Sequence, residues 1–207
     1  MELEKAIKIV ADFKDPNLRI NLDDLKKQLV GKTSSPSTEK VKNLLQAALI
    51  VKRISSQIDE IVHAAGIIMC LPKILEEGEI IQSLSLAAGA EGDGIDLVTD
   101  RRVAEFKFSQ WQDSSNGARK RHVFADCVNL MMLETPKSKE LYVLSAEKIK
   151  TFFKSKRSKW KNVLSKSGGL DQKLSTYLAS NALEAETVND IFNLSNVKIF
   201  EVRDMLT

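Results

Sequence analysis

The stretch that decides the reading is Gly94-Ile-Asp-Leu-Val-Thr-Asp-Arg-Arg-Val-Ala-Glu-Phe-Lys-Phe108. Two alternating runs flank Asp100-Arg101, which predicts a β-hairpin with a two-residue loop. Thr99 then faces Arg102, Asp96 faces Glu105 and Gly94 faces Lys107, with opposed Cα atoms about 4.5–5.5 Å apart. Alternation places Asp96, Val98, Val103, Glu105 and Lys107 on one face. The other face carries Ile95, Leu97, Ala104, Phe106 and Phe108, an apolar surface for a core. Two carboxylates and an amine converge, and Gly94 leaves the ammonium unobstructed. The plain alternative is a surface hairpin in which Lys107 bridges Asp96 and Glu105.

Two close carboxylates repel, so one takes a proton or a cation sits between them. A hard divalent ion such as Mg²⁺ prefers oxygen ligands and keeps several waters. Metal-bound water is a better nucleophile, and the ion also neutralises a scissile phosphate. A neighbouring lysine orients that water or stabilises developing charge. These groups suit metal-dependent phosphodiester hydrolysis.

Working outward, Glu79–Ala88 reads as a strand before the hairpin, and Gly89–Gly94 as a loop. Periodicity predicts helices over about 2–13 and 22–30, with Asn21 as an N-cap, and a long one over Glu39–Leu71. Ser55-Ser56 is a point of division in that helix, and Pro72 ends it. After the hairpin come a helix over about 116–133 and a strand at Glu140–Ser145. Helical segments at 146–165 and 171–193 follow, then a last strand at Val197–Val202. The sum is an α/β (α+β) chain with an αβββαβ core, a mixed central sheet flanked by helices, and a helical C-terminal tail. The Ser-rich stretch Lys32–Thr38 divides residues 1–37, a helical extension and linker, from a domain over 38–207.

Asp96, followed on the next strand by Glu105-Phe106-Lys107 with a helix before and after, resembles the PD-(D/E)xK nuclease superfamily of restriction-endonuclease-like folds. The likeness covers roughly residues 55–145, and the proline of the superfamily's name is replaced by Ile95. It implies a Mg²⁺- or Mn²⁺-dependent deoxyribonuclease; restriction, phage defence, junction resolution and repair all use this fold, and defence is the setting that fold-level analogy favours. It further implies metal binding by Asp96, Glu105 and the Phe106 backbone carbonyl, with Lys107 acting on the water. An acid on the first helix belongs to many members; Glu60 is best placed, with Asp59, Glu76, Glu77 and Glu79 competing. Asp93 replaces Asp96 only if the register shifts by an odd step, which turns the other face inward. The alternative is a catalytically inactive subunit of the same fold, acting as a DNA-binding or assembly module.

Charge placement adds to this. The chain of 207 residues has 31 Lys+Arg and 28 Asp+Glu, a formal net charge of +3. Residues 119–166 alone hold 13 Lys/Arg against 4 Asp/Glu, so the remainder is acidic. Arg119 and Arg121 open the helix after the hairpin, and Lys154, Lys156, Arg157 and Lys159 alternate with Phe152, Phe153 and Trp160. Cations that follow phosphates, with aromatics that stack on bases, suit DNA. A solvated helix with its aromatics in the core is the competing reading. Gln110, Trp111 and Gln112 are placed to line the same cleft, or to pack beneath it.

Other chemistries lack support. His63 and Cys70 lie seven residues apart, and His122 and Cys127 five, neither a zinc spacing on a helix. No nucleophile elbow or phosphate-binding glycine motif in a strand-to-helix context is present. The two cysteines suggest small core residues and a reducing compartment. The longest uncharged stretches are about 12 residues, short of a bilayer span, and the start lacks signal-peptide features. The expectation is therefore a cytoplasmic protein with no membrane, working on DNA as a homodimer or within a larger complex.

Overall fold

The computed structural model describes residues 1–15, 17–29, 39–86, 94–109, 111 and 117–206. The chain is mixed α/β and divides into two compact units, Met1–Asp59 and Glu60–Thr207. The boundary lies inside a helix, whereas the sequence placed it at Lys32–Thr38, a stretch outside the described residues.

The first unit holds α1 (Leu3–Lys14), α2 (Leu18–Leu29) and the first part of α3 (Glu39–Ile74). Ala6 and Ala47 are buried there. Asn21 is not the cap of α2: the helix starts earlier, and Asn17 Oδ1 accepts the Arg19 N–H at 3.0 Å. Asn21 instead donates back to the carbonyls of Phe13 at 2.6 Å and Asp15 at 3.2 Å. α3 runs unbroken through Ser55-Ser56 and past Pro72, which sits in its last turn. By length and composition, Val41–Ile74 is a helix able to cross a membrane, a feature that a search for uncharged stretches overlooks. Its final turns, however, belong to a core: Ile67, Cys70 and Ile74 are buried.

The second unit is built on a five-stranded sheet in the order β1-β2-β3-β4-β5. The strands are β1 (Ile81–Leu84), β2 (Leu97–Thr99), β3 (Arg102–Lys107), β4 (Ser138–Val143) and β5 (Lys198–Glu201). The first three are antiparallel; β3, β4 and β5 are parallel. Parallel neighbours need crossovers, supplied by α4 (Gly117–Met132) and by α5 (Ala146–Phe153), α6 (Trp160–Leu164), α7 (Leu170–Ser180) and α8 (Val188–Ser195). The hairpin has the expected register, Leu97 opposite Ala104 and Val98 opposite Val103.

Helices cover both faces of the sheet. Leu97, Ala104, Phe106 and Tyr142 meet the α3 residues Ile67, Cys70 and Ile74. Val103, Leu141 and Val143 meet Val123, Phe124, Cys127 and Val128 of α4 and the apolar faces of α5–α8. Ile95 joins this second cluster rather than that of Leu97, because the ladder stops at Leu97 and Gly94 is left-handed at φ +75°. Alternation holds only while the backbone is a strand.

Candidate functional site

The site forms at the C-terminal end of β3, where β2 has stopped pairing. Without a β2 partner, the Phe106 N–H donates to the Asp96 side chain, Oδ2 at 2.8 Å. Asp96 thus continues the ladder with a carboxylate in place of a carbonyl. In an antiparallel ladder the N–H and C=O of one residue point to the same neighbour, so the Phe106 carbonyl faces the same edge as Asp96.

Two helices complete the cluster. From α3, His63 Nε2 lies 3.2 Å from Asp96 Oδ1. The approach depends on Gly66, where a Cβ would stand 2.5 Å from the Phe108 ring. That ring seats against the helix and meets His63 edge-on, with centroids 6.1 Å apart. From α4, Asp126 Oδ2 faces Lys107 Nζ at 3.2 Å; this oxygen is buried and makes no aligned hydrogen bond. Lys107 Nζ is also 3.9 Å from Glu105 Oε2. Three carboxylates therefore share one ammonium and one imidazole.

Electrostatics follow from that imbalance. Glu105 is 3% exposed. Burial, then the charges of Asp126 and Asp96, push its carboxyl up to about 10 against the weaker pull of Lys107. Burial also raises Asp126, to about 6, although Lys107 opposes it. For Asp96 burial acts in the same direction, but the bonds from His63 and Phe106 outweigh it and hold the carboxyl low. Burial works against the Lys107 charge, and the carboxylates of Asp126, Glu105 and Asp96 more than restore it.

Among the described residues no three His, Cys, Asp or Glu side chains are grouped to cage a metal by themselves. The oxygen donors of Asp96, Glu105 and the Phe106 carbonyl still suit a hard cation that keeps most of its waters. The strained Glu105 carboxyl is the observation that fits: a positive charge there would relieve the repulsion that now favours its protonation.

The other sequence-selected residues fall into three groups. Glu60 is exposed on α3, and it is His63, three residues on, that reaches Asp96. Glu76 and Glu79 bind Arg102 instead, Glu77 gives only a carbonyl to Arg101, and Asp59 is exposed in the first unit. Asp93, Gln110 and Gln112 lie outside the described residues.

The basic run is corrected. Phe152, Phe153 and Trp160 are core side chains, 6%, 0% and 2% exposed, and cannot stack on bases. α5 ends at Phe153, so Lys154, Lys156, Arg157 and Lys159 stand in the turn before α6, where Lys159 pairs with Glu186. Arg119 and Arg121 are half-buried on α4. Trp111 packs toward Phe152, ring centroids 6.2 Å apart. Cys70 and Cys127 are buried free thiols, as expected.

Sequence reasoning missed His63 and Asp126. Both left a signal: each polar residue falls on an otherwise inward helical face, His63 beside Gly66 and Ile67, Asp126 between Val123 and Leu130. Comparison with protein-family models, with curated proteins and with solved structures finds no match.

Proposed function

We propose that this protein is a divalent-metal-dependent endonuclease that hydrolyses DNA phosphodiester bonds, a restriction-endonuclease-like enzyme of the PD-(D/E)xK type. The observation that carries the reading is the convergence of Asp96, Glu105 and Lys107 where β2 ends, with Glu105 forced toward protonation by its neighbours. A buried cluster with more carboxylates than cations is costly unless one carboxyl holds a proton or a cation is its partner.

In this reading Asp96, Glu105 and the Phe106 carbonyl would hold Mg²⁺ or Mn²⁺. The bound ion supplies a more acidic water and a counter-charge for the phosphate. His63 fixes the Asp96 carboxylate through Oδ1 while the Phe106 N–H fixes Oδ2, so that its direction is set before substrate arrives. Lys107, kept charged by its three acidic neighbours, supplies a proton donor at Nζ for the water or the phosphate oxygen. Arg119, Arg121, Lys154, Lys156 and Arg157 offer backbone contacts. Restriction or phage defence is the setting favoured by fold-level analogy.

The test is nicking of supercoiled plasmid with Mg²⁺ or Mn²⁺, with and without EDTA, beside Asp96→Ala and Lys107→Ala. Metal-dependent nicking that falls by about 10²-fold or more in both variants is expected. Equal cutting by Lys107→Ala removes the site assignment. DNA binding without cutting under every metal replaces the enzyme with a non-catalytic DNA-binding module.

A further inference from the structure

A second feature stands apart from the acidic cluster. A cavity of about 420 Å³ opens between α4 and the start of α7. Arg121 and His122 come to it from α4, and Lys166 and Lys173 from either side of the α7 start, with Asn129 and Ser167 between them. No carboxylate lines it among the described residues. Three cations around one concavity repel one another, and an anion is what makes such a grouping favourable.

Gly168 and Gly169, at φ +57° and +84°, lead from the cavity into α7, whose first turn carries Asp171 and whose Leu170 and Gln172 N–H groups already donate to the Ser167 and Gly169 carbonyls. The cations alone therefore define the site.

We infer that this cavity binds a phosphate group, carried on the backbone of a nucleic acid. Arg121 offers the planar fork that matches two phosphate oxygens, and Lys166 and Lys173 act as point charges. The volume leaves room for the sugar beside the phosphate. On α4, Arg121 precedes Asp126 by five residues, about 7.5 Å along the axis and on a different face. The site therefore engages a phosphate other than the one beside Lys107. That the ligand is a phosphate stands on the cavity alone; that a nucleic acid carries it rests on the nuclease reading.

The experiment is fluorescence anisotropy of a labelled oligonucleotide in EDTA, so that cleavage plays no part. It compares the unaltered chain, the double variant Arg121→Gln/Lys173→Gln, and Lys198→Gln as a distant surface control. The double variant is expected to bind at least tenfold more weakly, with the salt dependence reduced by about 0.7 for each phosphate no longer engaged. The control stays within twofold, and inorganic phosphate competes. Unchanged binding in the double variant overturns the site. A phosphate-dependent rise in melting temperature that the double variant lacks, with no oligonucleotide binding by either, upholds the phosphate site and removes the nucleic acid. No effect of phosphate and no oligonucleotide binding overturns both. Oligonucleotide binding that depends on Arg121 and Lys173, without plasmid nicking, leaves the site standing and removes only the nuclease.

Discussion

Strand β3 carries a buried charge cluster at each end, and the two are opposites. At its start, the Arg102 guanidinium grips Glu79 with two bonds of 2.7 Å and reaches Glu140 at 2.9 Å, Tyr142 at 3.2 Å and Glu76 at 3.2 Å. Tyr142 donates to Glu140, and Thr99 to Glu79, each at 2.5 Å. Glu79 ends up low, near 2, because these bonds overcome the burial that opposes its charge. At the other end of the strand, three carboxylates share Lys107, and Glu105 goes up to about 10. One network gives each of its three carboxylates a hydrogen-bond donor. The other leaves three carboxylates to one ammonium, and Glu105 takes up the imbalance by holding its proton.

Substitutions at the two ends should therefore have opposite signs. Arg102→Met leaves Glu79 and Glu140 buried without their counter-ion and should lower stability by about 3–5 kcal/mol in urea unfolding. A drop of less than about 1 kcal/mol, the scale of an exposed ion pair, would make the two ends equivalent. Mg²⁺ at about a hundredfold its Kd should stabilise the folded chain by about 2.7 kcal/mol. Melting of Asp96→Asn with and without the ion checks this, since the gain should vanish there and persist in Glu76→Gln.

Glu105→Gln should raise stability at pH 8 by about 1–3 kcal/mol while abolishing nicking. The sign follows from linkage: the folded-state value of about 10 lies above the ordinary 4.5, so the folded chain holds the extra proton through the intervening range. Stability contributed by that protonated form is fully present below 4.5 and falls as pH rises toward about 10. Denaturant titrations across this range should show the decline in the unaltered chain and a flatter profile in Glu105→Gln; parallel profiles would refute the assignment. The smallest effect is expected at Gly66→Ala. Its new methyl meets the Phe108 ring, at a cost of about 1–2 kcal/mol. The His63–Asp96 contact should loosen with it, read as weaker Mg²⁺ binding by calorimetry.

The hairpin was legible from residues alone because its rules are local. A two-residue loop sets the register, and period-2 alternation sorts Leu97, Ala104 and Phe106 from Val98 and Val103. The same rule misplaced Ile95, since the left-handed Gly94 and the side-chain bond of Asp96 to Phe106 end the strand there. The basic run misled for a related reason. Phe152, Phe153 and Trp160 alternate with lysines because helix faces and turns segregate them, and the aromatics are what the core demanded.

The parallel pairing of β3 with β4, and of β4 with β5, agrees with an α/β order but could not be read from any one segment. Residue types and spacing determined by themselves that Asp96, Glu105 and Lys107 would meet on a hairpin backed by apolar side chains. Only the tertiary structure decided that His63 and Asp126, which come from helices on either side of the hairpin in the chain, join them. It also decided which acids serve Arg102 instead. The physical reason is range. Hairpin hydrogen bonding acts between chain neighbours, whereas the charge balance of a buried site is set by whichever helices the packing of Phe108, Gly66 and the α4 apolar face brings alongside.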